Sequence, residues 1–123
     1  EIKIMDFGLA VILGDQKKGE SGVITGTPYY MSPEQIQGIP VDHRTDIYSA
    51  GATLFHLTTG HVPFKGENIF YQHLFDPLPP IRKFRDDVPE KLCHIIEKCM
   101  EKKREQRFQS AMEVLNEMKT IKI

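Results

Sequence analysis

The sequence predicts a mainly α-helical domain that follows two short β-strands and a long loop. Three observations lead to this prediction: the first residues alternate in polarity, residues 14–26 are rich in glycine and polar side chains, and apolar residues then recur at helical spacing. Apolar residues make up 40% of the 123 residues and charged residues 27%, which is ordinary for one globular domain and unlike a disordered chain.

The strand signals lie at the start of the chain. Residues 1–5, "EIKIM", place Ile2 and Ile4 on one side of an extended segment, and a second short apolar run follows at residues 9–13. Residues 14–26, "GDQKKGESGVITG", show little periodicity and predict a long loop. Loops of this length are usually functional.

Two helices are predicted directly after the loop. Ser32 is a suitable N-cap, Pro33 suits the first helical position, and Gly38 ends the segment after one or two turns. Residues 46–60, "DIYSAGATLFHLTTG", leave no consistently polar face. A helix that is apolar all round is typically buried, so this segment is expected at the centre of the domain.

The remaining residues predict three further elements. Residues 68–75 read as a short helix, and residues 76–89 form a connection that its prolines interrupt. Residues 90–100 carry apolar side chains at amphipathic spacing, which predicts a helix that packs through one face. Ser110 lies three residues before Glu113, the spacing of a capping box that opens a final helix.

Charge and hydropathy exclude several classes of partner. Sixteen basic and seventeen acidic residues leave a formal net charge of −1, so no overall field favours a nucleic acid or an anionic membrane. No apolar run approaches the roughly 20 residues that span a bilayer, and the first residues lack the layout of a signal peptide. We therefore expect no nucleic acid partner and no membrane insertion within this chain.

The metal-ligand residue types show no metal-binding pattern. Cys93 and Cys99 are six residues apart, which matches neither a zinc spacing nor a disulfide framework. We interpret them as buried, reduced thiols, which predicts a cytoplasmic protein. The five histidines also lack the spacing of a metal site and are interpreted as ordinary side chains. They are His43, His56, His61, His73 and His94.

The order of the short motifs is more informative than any one of them. Asp6-Phe7-Gly8 taken alone is equally a strand-to-loop turn, in which Asp6 caps the chain and Gly8 supplies a positive φ. The motifs in order are "DFGLA" (6–10), "GTPYYMSPE" (26–34), "DIYSAG" (46–51) and "GHVPF" (60–64), and an arginine then precedes the final helix. This order resembles the signature set of the eukaryotic-type (Hanks-type) serine/threonine protein kinases, in which Asp-Phe-Gly and Ala-Pro-Glu bracket the activation segment.

The resemblance covers essentially the whole chain and implies its place in a larger fold. Residues 1–123 would be the C-terminal part of the catalytic domain, within its large lobe, with short N-terminal strands, an activation segment at residues 6–34 and a helical body at residues 42–123. The glycine-rich loop, the strand lysine and the catalytic loop with its aspartate precede Asp-Phe-Gly in this family. We therefore expect no catalytic residue within this chain, no kinase activity of the chain alone, and no tight binding of ATP by it.

Asp6 is the cofactor-binding and metal-binding residue that the resemblance implies. Its carboxylate would hold the Mg2+ ion that bridges the phosphates of ATP, because a hard oxygen ligand suits a hard cation. Phe7 would pack against a neighbouring helix and set the position of Asp6, and Gly8 would let the backbone turn. ATP and Mg2+ are thus the cofactors expected of the parent kinase.

The end of the long loop would carry substrate recognition and regulation. Thr27 and Pro28 resemble the serine/threonine-specific form of the loop that receives the substrate. Ser21 and Thr25 are the candidate phosphorylation sites, because a phosphate of about −2 charge could order the loop against an arginine cluster. Val23 stands where many relatives carry the phosphorylated threonine.

Glu34 and Arg107 are expected to form a structural ion pair. In the family, the glutamate of Ala-Pro-Glu, here Ser-Pro-Glu, pairs with an arginine near the last helix, and Arg107 matches that arginine. A buried carboxylate without its cation is strongly destabilising. Lys103 and Arg104 replace the usual Asp-Pro, which makes Arg104 a competing partner. Gln35, after the glutamate, resembles the bacterial members of the family.

Asp46 has two interpretations that are compatible with each other. It matches the aspartate that opens the buried helix in the family and hydrogen-bonds the backbone of the catalytic loop. It is equally suited to be a plain N-cap. Tyr48, two residues later, replaces the usual tryptophan.

The resemblance implies a parent enzyme that transfers the γ-phosphoryl group of ATP to Ser or Thr of a protein. The alternative is a pseudokinase or docking module without catalysis, although the intact Asp-Phe-Gly argues against it. The expected partners are a protein substrate and the N-terminal part of the kinase domain. Without that part, the helix at residues 46–60 would expose some of Ile47, Leu54 and Phe55, so self-association of the isolated chain is also expected.

Overall fold

The structure, a computed structural model, describes residues 28–121. Within them the chain forms six α-helices and two 3-10 helices, and no β-strand. The α-helices are α1 (Pro33–Gln37), α2 (His43–Thr59), α3 (Ile69–Phe75), α4 (Ile81–Phe84), α5 (Glu90–Cys99) and α6 (Ala111–Met118), and the 3-10 helices are Pro28–Tyr30 and Arg104–Gln106. The mainly helical character predicted from the sequence is confirmed. The two predicted strands and the loop at residues 14–26 lie outside the described residues.

Helix α1 is short because a capping box starts it at Ser32 and a left-handed glycine ends it at Gly38. The hydroxyl of Ser32 accepts a hydrogen bond from the backbone N–H of Gln35, and the Gln35 side chain accepts one from the backbone N–H of Ser32. Gly38 ends the helix at a φ of 73°, a left-handed conformation that favours glycine. The chain then turns towards α2.

Helix α2 begins three residues earlier than the sequence pattern indicated. Its N-cap is Asp42, whose carboxylate accepts a hydrogen bond of 2.9 Å from the backbone N–H of Arg44. The interpretation of Asp46 as a plain N-cap is therefore wrong, because Asp46 already lies in the first turn of the helix. The helix ends at Gly60, where φ is 80°.

The core is built around α2. Buried apolar side chains from α2, α3, α4 and α5 form one cluster. Helices α2 and α5 approach closely at Gly51, where an added Cβ would lie 2.6 Å from the Cβ of Cys99 and 2.8 Å from the Cγ of Met100. Because Gly51 has no side chain, the backbone of the central helix can pack directly against the side chains of Cys99 and Met100.

One face of α2 departs from the prediction of complete burial. Ile47 and Phe55, two of the residues expected to be exposed, are buried, and Leu54 is half-buried. Leu57 is instead 67% exposed. The sequence pattern identified an apolar helix correctly but could not show which of its faces would be covered by the helices that follow.

Helices α5 and α6 close the domain in different ways. Ile95, Ile96 and Cys99 of α5 are buried, so the amphipathic helix predicted at residues 90–100 is confirmed. Helix α6 has no buried residue and lies on the surface of α5, where Lys91 and Glu117 form an ion pair of 2.7 Å.

Candidate functional site

The structure describes four of the site residues predicted from the sequence: Pro28, Glu34, Asp46 and Arg107. It brings Glu34 and Arg107 into direct contact. Pro28 contacts His73 instead, and among the described residues the Asp46 side chain forms no hydrogen bond with the other three. The other predicted site residues lie outside the described residues. They are Asp6, Phe7, Gly8, Ser21, Thr25 and Thr27.

The carboxylate of Glu34 and the guanidinium of Arg107 form a buried, two-pronged ion pair. The distances are 2.7 Å from Nη1 of Arg107 to Oε2 of Glu34 and 2.8 Å from Nη2 to Oε1. Thr45 adds a hydroxyl that donates to Oε2 at 2.7 Å. Such parallel hydrogen bonds between charged groups are among the strongest polar contacts in proteins.

All five N–H donors of Arg107 have an acceptor. Besides Glu34, they reach the backbone carbonyl oxygens of Glu101 at 2.8 Å, Arg44 at 2.9 Å and Lys102 at 3.2 Å. The guanidinium also lies 5.0 Å from the centre of the Tyr48 ring. Arg107 therefore connects α1, α2 and the segment after α5 through one buried side chain.

Burial and hydrogen bonding act on Glu34 in opposite directions. Burial alone would raise the pKa of the Glu34 carboxyl, but the hydrogen bonds from Arg107 and Thr45 hold that pKa below its usual range. The competing arginine, Arg104, donates instead to the backbone carbonyl of Pro40 at 2.8 Å. The carboxylate of Glu34 is thus ionised and fully paired.

The 3-10 turn Pro28–Tyr30 is attached to the helical body at three points. His73 of α3 contacts the carbonyl oxygen of Pro28 through Nε2 at 2.8 Å. Ser49 of α2 donates its hydroxyl to the carbonyl oxygen of Tyr30 at 2.7 Å, and the Tyr30 hydroxyl contacts Nδ1 of His56 at 2.8 Å. The turn that precedes Glu34 is therefore held by α2 and α3 rather than by its own backbone alone.

His73 is a buried imidazole with both nitrogens engaged. It is 0% exposed, and its Nδ1 lies 2.7 Å from the hydroxyl of Tyr48, itself 0% exposed. The pKa of His73 is lowered to about 4, chiefly by burial and also by the positive charge of Lys102, against the opposing effect of the Pro28 carbonyl. The imidazole is therefore neutral at neutral pH.

Asp46 is a half-buried carboxyl whose environment disfavours its charge. Burial raises the pKa of Asp46 to about 6, opposed by the nearby His43. Among the hydrogen bonds within residues 28–121, none involves the Asp46 carboxylate. Within the described part of the chain, Asp46 thus lacks the donors that normally accompany a partly buried carboxylate.

Sequence reasoning missed Thr45, Ser49, His56 and His73 as members of this arrangement. The histidines carried no metal-binding spacing and were interpreted as ordinary side chains. The available signal was Tyr48, since a tyrosine in a buried helix usually finds a hydrogen-bond partner for its hydroxyl. That signal predicts a buried polar partner but does not say which residue supplies it.

A family comparison decides what kind of domain carries this arrangement. The family model described as "Protein kinase domain" matches residues 1–118. The chain belongs to the protein kinase domain family. The resemblance seen in the order of the sequence motifs is therefore confirmed.

Three of the similar proteins are bacterial and are named serine/threonine-protein kinases. A probable serine/threonine-protein kinase of Clostridium acetobutylicum is 40% identical over 98% of this chain and 19% of its own length. The serine/threonine-protein kinase PknB of Mycolicibacterium smegmatis is 40% identical over 92% of this chain and 19% of its own length. The DNA damage-responsive serine/threonine-protein kinase RqkA of Deinococcus radiodurans is 40% identical over 88% of this chain and 17% of its own length. The chain spans about a fifth of the length of these relatives.

The part of the chain that the structure describes contains neither a membrane-spanning helix nor a metal-binding cluster. Across residues 28–121, no helix combines the length and the hydropathy that crossing a bilayer requires. The same described residues contain no group of three His, Cys, Asp or Glu side chains arranged to hold a metal ion.

Proposed function

We propose that the full-length protein is a serine/threonine protein kinase, which transfers the γ-phosphoryl group of ATP to a Ser or Thr hydroxyl of a protein substrate. The observation that carries this proposal is the attachment of residues 28–34 to the helical body, at one end through His73 and at the other through Glu34 and Arg107. Phosphoryl transfer depends on positioning, and a loop can position an acceptor only if its own backbone is held. The family match and the names of the relatives support the same activity.

Within this proposal the chain is the C-terminal part of the kinase domain, with the activation segment at residues 6–34 and the helical body at residues 42–123. Asp6 would be the Mg2+ ligand, because a carboxylate is the hard oxygen donor that this cation takes, and Phe7 and Gly8 would set its position. Bound Mg2+ neutralises charge on the phosphates of ATP. The chain's own residues supply the acceptor loop and its support.

The acceptor loop in this proposal consists of Thr27 and Pro28, and regulation falls on Ser21 and Thr25. A phosphate on either hydroxyl would bring about −2 charge and order the segment against basic side chains. Mass spectrometry of the active full-length protein tests this point, and two unmodified hydroxyls would contradict it.

Asp46 has an assigned partner in this proposal, the backbone of the catalytic loop. That loop precedes Asp-Phe-Gly in the family. Backbone N–H donors would satisfy the Asp46 carboxylate and lower the pKa that burial raises to about 6. A catalytic loop that is held in this way would join the upstream part of the domain to α2.

We also propose that the chain alone is catalytically inactive. The general base and most nucleotide contacts of the family lie before Asp-Phe-Gly, and phosphoryl transfer requires them together.

Cys93 and Cys99 are free and buried, and burial raises the pKa of Cys99 to about 12, so these thiols are structural. Reduced thiols and ATP as substrate together favour the cytoplasm.

A docking module without catalysis is the second candidate function. It is favoured by exposed apolar side chains on two helices, namely Leu57 of α2 and Tyr71 and Phe75 of α3. The two aromatic rings lie 5.0 Å apart and form a small surface pair. In this alternative the helical body binds a protein partner and transfers no phosphate.

Phosphate transfer from labelled ATP to casein by the full-length protein separates the two candidates. We expect transfer by the wild type and none by Asp6→Ala, with an unchanged unfolding midpoint, since Asp6 is proposed as a ligand and not as part of the core. Asp86→Ala, which removes an exposed carboxylate, is the matched control and should retain activity. A folded wild type that transfers no phosphate would favour the docking module, and wild-type turnover by Asp6→Ala would overturn the Mg2+ assignment.

A further inference from the structure

His73 lies between two groups that belong to different parts of the domain. On one side, the Tyr48 hydroxyl belongs to the central helix α2 and lies 2.7 Å from Nδ1. On the other side, the Pro28 carbonyl oxygen belongs to the turn that precedes Glu34 and lies 2.8 Å from Nε2. The imidazole thus bridges the rigid centre of the fold and the segment proposed to receive the substrate.

The direction of each hydrogen bond follows from the chemistry of the partners. A carbonyl oxygen can only accept, so Nε2 of His73 must carry the hydrogen and donate it to Pro28. Since the imidazole is neutral, Nδ1 then has a free lone pair, and the Tyr48 hydroxyl must donate to it. The arrangement fixes one tautomer of His73, and the Pro28 carbonyl is the group that fixes it, because the Tyr48 hydroxyl could either donate or accept.

The surroundings of His73 leave the imidazole little freedom to choose another partner. The Phe64 ring packs edge-on at a centroid distance of 5.0 Å, and the His73 side chain is fully buried. A buried donor that loses its acceptor keeps the full desolvation penalty, which makes the pairing with Pro28 hard to exchange.

We propose that His73 is a positioning residue for the protein substrate, which acts by holding the carbonyl of Pro28 in the proposed acceptor loop. The inference rests on the proposed function, in which that loop receives the substrate. Tyr30 is held separately by Ser49 and His56, so loss of the His73 donor releases the Pro28 end and leaves the rest of the turn attached.

Two substitutions of His73 separate its two hydrogen bonds. Asn places an amide near the position of Nδ1, so His73→Asn can still accept from Tyr48 but does not reach Pro28. Gln places an amide N–H near the position of Nε2, so His73→Gln can donate to Pro28 but leaves the Tyr48 hydroxyl without its acceptor. Combining His73→Gln with Tyr48→Phe removes that hydroxyl and gives a matched variant that keeps the loop contact only.

Steady-state kinetics of the full-length protein, with casein and Mg-ATP as substrates, test the proposal. We expect His73→Asn to raise the KM for casein about fivefold, the effect of losing one ordinary hydrogen bond, with the KM for ATP unchanged. The His73→Gln/Tyr48→Phe variant should keep the KM for casein within about twofold of the wild type. A general loss of packing would instead lower the unfolding midpoint and change both KM values in the two variants alike.

The outcomes distinguish this inference from the proposed function. If the wild type is active and the KM for casein of both variants equals that of the wild type, the positioning role is overturned and the kinase assignment stays intact. Equal rises of that KM in both variants would also overturn it, because only one of them lacks the donor. A wild type without phosphate transfer would overturn the proposed function, and the positioning role with it.

Discussion

Glu34 and Arg107 are 73 positions apart in the chain and share two hydrogen bonds of 2.7 and 2.8 Å in the interior of the domain. Each side chain is at most 4% exposed. A charge pair at such depth is retained only if every donor and acceptor is satisfied, and here Thr45 and three backbone carbonyls complete the set. The pair therefore joins helix α1 to the last third of the chain.

The first prediction concerns the coupling of this pair. Glu34→Gln and Arg107→Met should each destabilise the full-length protein by about 3–5 kcal/mol, because each leaves a buried charged partner uncompensated. The double variant should lose less than the sum of the two single losses. Urea unfolding of the four proteins measures the cycle, and strictly additive losses would show that the two side chains are not coupled.

The exposed pair of Lys91 and Glu117 is the control for this cycle. Its distance is also 2.7 Å, but both side chains are more than two-fifths exposed. Solvent screening should limit its contribution to about 0–1 kcal/mol. A comparable loss at both pairs would indicate that burial is not what makes the Glu34 contact strong.

The second prediction is a pH dependence that arises from His73. Its pKa is lowered to about 4, while an unfolded histidine has a pKa near 6.5, so the unfolded state binds a proton first as the pH falls. The stability contributed by neutral His73 is therefore fully present above about pH 6.5 and is lost progressively down to about pH 4, by at most about 3 kcal/mol. Asp46 acts in the opposite direction over nearly the same range, because its raised pKa favours the folded state at low pH.

Comparing the wild type with the His73→Gln/Tyr48→Phe variant isolates this effect. Asp46 and Lys102 are present in both proteins, so their contributions should largely cancel in the difference. We expect the free energy of unfolding of the variant to fall less steeply between pH 6.5 and 4.5. Parallel curves for the two proteins would mean that His73 does not remain neutral in the folded state.

The helical elements were predictable because their signals are local. The amphipathic spacing of α5, the Ser32 cap and the terminal Gly38 all lie within a few residues of the structure they specify. The start of α2 was not settled by such signals. Asp42 and Asp46 are one helical turn apart and either can cap a helix, and the N-terminal turn is held by His43 and Arg44, which both contact the distant Gln109.

The role of His73 was not predictable for the same physical reason. Its partners, Tyr48 and Pro28, are 25 and 45 positions away, so no spacing in the sequence brings them together. Burial creates the chemistry: the same imidazole on a surface would titrate near neutral pH and exchange its partners with water. Only the packing of α3 against α2 converts an ordinary histidine into a fixed donor to the turn.

The third prediction concerns the close contact of α2 with α5. Gly51→Ala would place a methyl group 2.6 Å from the Cβ of Cys99, and we expect a loss of about 1–3 kcal/mol from overpacking. Gly38→Ala is the control, because its Cβ would meet no atom within 4 Å and its cost comes from the positive φ alone, about 1–2 kcal/mol. In a double-mutant cycle with Cys99→Gly, measured by urea unfolding, the loss of the double variant should be less than the sum of the two single losses if the clash is the cause.

The fourth prediction concerns the isolated chain in solution. Leu57 projects from the central helix with 67% of its surface exposed, and the half-buried Leu54 lies one turn before it on the same side. A contiguous apolar patch of several hundred Å² is rarely left bare on a soluble monomer, and covering one at about 25 cal/mol per Å² stabilises a complex by several kcal/mol before the cost of association. We therefore expect residues 1–123 alone to self-associate through this face, as measured by sedimentation equilibrium over a wide concentration range.

Two variants locate the contact that the isolated chain uses. Leu57→Glu should weaken self-association at least tenfold, because association would then bury an unpaired charge. Leu115→Glu changes an apolar side chain of similar exposure, 51%, on the surface helix α6 and should leave association unchanged. A strictly monomeric wild-type chain that melts cooperatively would contradict the prediction. Unchanged association of Leu57→Glu would place the contact elsewhere than on α2, and equal weakening by both variants would show that the effect is not specific to α2. Adding the upstream part of the kinase domain should compete with self-association, since that part is expected from the sequence to cover a face of the central helix that includes Leu54.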